Sequence, residues 1–161
     1  MTVTVHIDYA TSAACPDRAD FQRWVEEALR VAQHQQPTEM SILINTAEEM
    51  AAFNQRYRNK IGPTNVLSFP VSTPSGVNTP LLGDIIICAD VVGVEARQQN
   101  KQVTDHWAHL TIHGVLHLLG HDHLDTQDAV TMETLEIAAL KALTINNPYH
   151  AIDSFEEQIP L

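Results

Sequence analysis

Basic residues are scarce in this sequence: nine Lys and Arg stand against twenty Asp and Glu over 161 residues, for a formal net charge of −11. That balance excludes a broad cationic face gripping nucleic acid through many phosphates. Any polyanion site has to be local. Cysteine is almost missing too. Cys15 and Cys88 lie far apart and form no CxxC pair, so two free thiols in a reducing, cytoplasmic setting are expected. No apolar run approaches the ~20 residues of a membrane span. The opening MTVTVHIDYA has no basic start, and His6 and Asp8 interrupt its apolar residues, so neither a secretory leader nor a membrane partner is expected.

What is present suits an ordinary folded chain: 44% hydrophobic and 18% charged residues, in a length that fits one domain. VTVHIDY (3–9) alternates with Val3, Val5, Ile7 and Tyr9 on one face, which predicts a half-buried strand. Helical spacing from Asp17 to about His34 stops before Pro37, and MSILIN (40–45) reads as a second strand. Thr46 and Glu49 form a capping box for a helix to about Tyr57. A short strand is expected at Val66–Phe69, an exposed loop over 72–80, and a central strand over GDIIICA (83–89). Helices follow over 90–100 and 104–119, and Asp125 with Asp128 caps a last one to about Leu143. The expectation is a single α+β domain over 1–150, with a poorly ordered tail over 151–161.

Residues 113–123, HGVLHLLGHDH, carry the chemistry. His113 and His117 are one helical turn apart and project from one face. Gly120 can take the left-handed conformation that ends a helix, letting the chain return with His123. Three neutral imidazoles grip a zinc ion at about 2.0–2.1 Å and leave one tetrahedral position for water, the pattern of a catalytic site rather than a closed one. His121 joins them only if the helix runs on, which Gly120 opposes. His109 lies on the same stripe, either supporting a ligand or simply packed, and His106 reads as a residue near the helix start. Trp107, Leu110, Leu116 and Leu119 read as core.

Zinc proteases of HExxH type keep a glutamate after the first histidine as general base. Here Gly114 stands in that place. Amide hydrolysis loses its proton shuttle, whereas a phosphodiester needs charge stabilised on non-bridging oxygens, work for a metal and a guanidinium. Arg56, Arg58 and Lys60, crowded into five positions, either supply that cation or form a solvated helix end favourable to the dipole.

The histidine motif, preceded by HWAH (106–109), resembles the signature of the YbeY endoribonucleases, bacterial rRNA maturation factors. YRNKIGPTNVLSFP (57–70), LLGDIIIC (81–88) and METLE (132–136) with a later NPY agree with it, so the likeness covers about residues 40–150. It implies a zincin-like α+β fold, a mixed sheet of about four strands with five or so helices and the metal at the end of the histidine-bearing helix. It further implies one Zn²⁺ per chain on His113, His117 and His123 and Arg58 on the scissile phosphate, while His109 and His121 are candidate supporting residues on their position alone. The implied activity is single-strand-specific cleavage of RNA in 16S rRNA 3′-end maturation and 70S ribosome quality control, with zinc-activated water or a ribose 2′-OH as nucleophile. Its partners are precursor rRNA and the small ribosomal subunit with its proteins, and not DNA. Two departures stand out: Ile61 where family members often carry Asp, and Asn59 where they carry Gly. Two other readings remain. One is a non-catalytic ribosome-assembly factor with a mainly structural zinc. The other is a metallopeptidase with Asp84 or Asp122 as substitute base.

Overall fold

The computed structural model describes residues 2–74 and 76–149, and the expected tail over 151–161 lies outside the described residues. The elements run β1 (Val3–Tyr9), α1 (Arg18–Val31), β2 (Thr38–Asn45), α2 (Ala47–Arg58), β3 (Val66–Pro70), β4 (Leu81–Cys88), α3 (Ala89–Gln98), α4 (Val103–Leu118) and α5 (Thr126–Ala142). Side-chain oxygens start three of the helices. Asp17 accepts from the Asp20 amide at 2.9 Å, Thr46 from Glu49 at 3.3 Å, and Asp125 from Asp128 at 2.8 Å. The mixed α+β architecture with four strands and five helices is the expected one.

The sheet has the order β1-β2-β4-β3, with β1, β2 and β4 parallel and β3 antiparallel at the edge. β4 is the run Ile85-Ile86-Ile87-Cys88, all buried, as a strand covered on both faces should be. Ile85 and Ile87 join Ile42, Ile44 and Met40 under α1, α4 and α5. On the other face Ile86 and Cys88 meet Met50 of α2 and Leu67. Phe21 locks α1 to α4 through an edge-to-face contact with Trp107 at 5.9 Å.

Several boundaries fall a few residues from their expected places. β2 starts at Thr38 rather than 40, because the Thr38 and Glu39 amides find carbonyls at Thr2 and Pro80. β4 likewise starts at Leu81, where Glu39 pairs with it. α1 ends at Val31, short of His34, and Gln33 then takes a positive φ of 58°. These are tertiary effects that local periodicity does not carry.

α4 is the buried axis of the molecule. From His106 to Leu118 every residue is buried except His113 and His117. The helix sits so close to the sheet that a Cβ at Gly114 would come within 3.1 and 3.3 Å of the Ile85 methyl groups and 3.5 Å of Ser68 Oγ. Ser68 also donates to the Gly114 carbonyl at 3.3 Å, pinning the edge strand to the helix. The glycine is therefore a packing requirement as well as the loss of a base. Gly114→Glu should cost at least ~3 kcal/mol in urea denaturation, since it overpacks the joint and buries an unpaired charge. Gly114→Ala should cost less, because ~1 kcal/mol of helix propensity offsets part of the strain. Wild-type stability in the glutamate variant would contradict this packing.

Candidate metal centre and its cleft

α4 stops where glycine permits it. Leu119 caps the helix, Gly120 takes φ 99°, and the His121 amide donates back to the Leu116 carbonyl at 3.0 Å. The chain reverses and returns His123 to the face that carries His113 and His117. One ring nitrogen from each of the three lies within 4.8 Å of the others. His113 Nε2 and His117 Nε2 are 3.1 Å apart, and the His123 ring centroid is 5.2 Å from that of His117. Two nitrogens about 2.0–2.1 Å from one tetrahedral zinc lie ~3.4 Å apart, so the first pair already has close to the required spacing. His123, the exposed member, stands at the outer edge of the set. Burial, helped by the neighbouring His113 and His123 rings, lowers the His117 pKa below the usual imidazole value. A neutral imidazole is the form that ligates metal. The three residues thus fit a divalent cation and leave a coordination position facing the cleft.

Behind His113 lies a residue that sequence reasoning missed. Glu136 of α5 is 1% exposed, and its Oε1 lies 3.1 Å from His113 Nδ1 and 2.8 Å from His109 Nε2. The Tyr149 hydroxyl donates to the same carboxylate at 2.8 Å. Burial alone would raise the Glu136 pKa, but the hydrogen bonds from His109 and His113 outweigh it and hold the carboxyl at about 2. Tyr149 is pushed well above the ordinary phenol value by burial and by the negative charge of Glu136, so it remains a donor. The available signal was positional. Met132, Glu136, Ala139 and Leu140 form the buried stripe of α5, and an acid on such a stripe requires partners.

His109 is therefore a buried partner of Glu136, not a ligand. His106 is more than a residue near the helix start. It is 2% exposed and bonded at 2.8 Å to Glu95, which also receives the Asn65 amide at 3.1 Å. This ties the loop before β3 to α3 and α4.

The metal face opens into a cleft of about 690 Å³ lined on one side by His113, His117, Gly120, His121, Asp122, His123 and Leu124. Arg58 and residues Thr64 to Ser68 line the rest. His121 faces the cleft without joining the three-histidine set. Arg58 ends α2 and makes no ion pair among the described residues. Arg56, by contrast, lies over the Tyr57 ring at 6.0 Å. Asn59, the departure next to Arg58, caps α2 with φ 54° and ψ 40°, a left-handed conformation that asparagine tolerates nearly as glycine does. Ile61 is 97% exposed and touches none of this machinery through a hydrogen bond or ion pair. Asp84 is ruled out as a substitute base: it lines a separate groove with His6, Asp8 and Tyr57 on the far side of the sheet. Asp122 does line the cleft, beside His123.

Comparison with known proteins gives the family. The family model described as "Endoribonuclease YbeY" matches residues 6–144. A protein of that name from Nitrosococcus oceani is 48% identical over 155 residues, covering 94% of this chain and all of the relative. The Methylococcus capsulatus protein of the same name is 47% identical, covering 93% of this chain and 97% of its own. The solution structure of TM1509 from Thermotoga maritima shares the fold, with a TM-score of 0.56 at 20% identity over 88% of this chain and 92% of that one. By the family match and by these relatives, the chain belongs to the YbeY family.

Proposed function

We propose that this chain is a zinc-dependent endoribonuclease acting on single-stranded RNA. The observation that carries the reading is the convergence of His113, His117 and His123 in the same cleft as Arg58. The family relatives bear the name endoribonuclease, which favours RNA over other phosphodiesters. Zinc held there supplies Lewis acidity and lowers the pKa of a bound water toward ~7.

The chain's own residues do the remaining work. Arg58 forks onto two non-bridging phosphate oxygens and draws the scissile group into the cleft, where developing negative charge is stabilised. Gly114 contributes no acid or base, and Asp122 is the carboxylate of the cleft wall nearest to His123. The biological substrate is the 3′ end of 16S rRNA, and the activity also serves quality control of 70S ribosomes in the cytoplasm. An acidic chain of net charge −11 has little surface for free RNA, so basic ribosomal proteins of the small subunit help to present the substrate.

Arg58→Ala should lower kcat/KM on unstructured RNA by ~10²-fold or more with the melting temperature unchanged, and Arg58→Lys should restore only part of it. His117→Ala, or chelation of the wild type, should abolish cleavage and the bound zinc together. Cleavage that survives either change would overturn the reading. If wild-type protein loaded with zinc cuts no RNA yet unfolds on chelation, the metal is structural and the assembly-factor reading takes its place. RNA affinity should fall with salt at a slope worth on the order of two or three counterions. A slope like that of an extended basic groove would contradict a local site.

A further inference from the structure

We propose that Glu136 is a positioning residue for the metal centre, setting the tautomer and aim of His113, and that Tyr149 and His109 hold Glu136 in place for it. The inference rests on the three-histidine metal reading above but not on the identity of the substrate.

A buried charge without partners is prohibitively costly, and an ionised carboxylate can only accept hydrogen bonds. Each polar atom facing Glu136 must therefore carry a hydrogen. His113 presents Nδ1, so that nitrogen is protonated and the lone pair of His113 is confined to Nε2. Nε2 is the atom that lies 3.1 Å from His117 Nε2, inside the metal set. Without the carboxylate, the His113 proton could sit on either nitrogen, and metal binding would have to draw the Nδ1–H tautomer from that mixture. The contact also fixes the ring plane, and a more basic imidazole binds metal more tightly.

One acceptor for one histidine would be a sufficient device, but Glu136 has three donors. His109, one turn before His113, reaches Oε1 at 2.8 Å, and the Tyr149 hydroxyl lies 3.0 and 2.8 Å from Oε1 and Oε2. The His109 and Tyr149 rings meet edge to face at 5.4 Å. Together they leave the carboxylate little freedom to turn away from His113. Tyr149 follows the loop after α5, so that loop is tied to the metal centre through a single carboxylate.

Zinc affinity by competition with a chromophoric chelator, together with the visible spectrum of the cobalt-substituted protein, tests this without RNA. Glu136→Gln should weaken zinc binding ~10–100-fold and alter the cobalt band, because the amide cannot accept from all three donors. Tyr149→Phe keeps the carboxylate, and should weaken binding by a smaller, several-fold factor. Leu140→Ala, a cavity in the buried stripe of the same helix, should lower the melting temperature but leave zinc affinity and spectrum unchanged. A folded Glu136→Gln protein with wild-type zinc affinity and spectrum would overturn the proposal. So would a Leu140→Ala protein whose zinc affinity falls as far as that of Glu136→Gln. If Glu136→Gln fails to fold, wild-type affinity in Tyr149→Phe would overturn it. Wild-type protein that binds zinc tightly but leaves RNA intact would defeat the endoribonuclease reading while leaving this one standing.

Discussion

The structure depends on how closely α4 lies against the sheet. At Gly114 a Cβ would lie 3.1 and 3.3 Å from the Ile85 methyl groups, so a small residue is accommodated only if Ile85 gives way and a large one has to displace the helix or the strand. Packed between the sheet and α1, α3 and α5, α4 buries every position from His106 to Leu118 except His113 and His117. His109 points toward Glu136 from one turn before His113, and Gly120, just past the helix, reverses the chain. The histidine pair, its supporting carboxylate and the cleft are all built around this one buried helix. A larger residue at 114 would disturb all three before it offered any new chemistry.

That joint also explains how a site that resembles a zinc protease at the level of spacing is directed to other work. Two histidines one turn apart and a third beyond a helix-ending glycine define where a divalent ion can sit. They do not define the reaction. With a glycine after the first histidine and an arginine in the cleft, the surroundings fit the proposed charge stabilisation on a phosphate better than proton delivery to an amine. A formal net charge of −11 disfavours non-specific RNA binding, which is why the proposed contact is a local one.

Much of this was legible in the sequence. Periodicity and caps located all nine elements, because the apolar stripes of α1 and β1 and the caps at Thr46 and Asp125 are local signals. The three-histidine cluster was legible because its spacing has a mechanical meaning on a helix followed by a turn. The likeness to a known family pointed to Arg58, and the structure places it in the cleft with the histidines. What stayed hidden depends on contacts distant in sequence. Glu136 is 23 residues from His113, and Glu95 is 11 from His106. A glutamate is a common residue on any helix, and only burial shows that this one needs partners. Asp84 misled for the matching reason: a strand's two faces are told apart only when the neighbouring helices are known.

The central claim is that three imidazoles hold one divalent ion with a position left for solvent or substrate. X-ray absorption at the zinc edge of the loaded protein tests it most directly. The account predicts one zinc per chain, with three imidazole nitrogens and one further light atom at ~2.0–2.1 Å. A sulfur neighbour, or four protein ligands closing the shell, would contradict it.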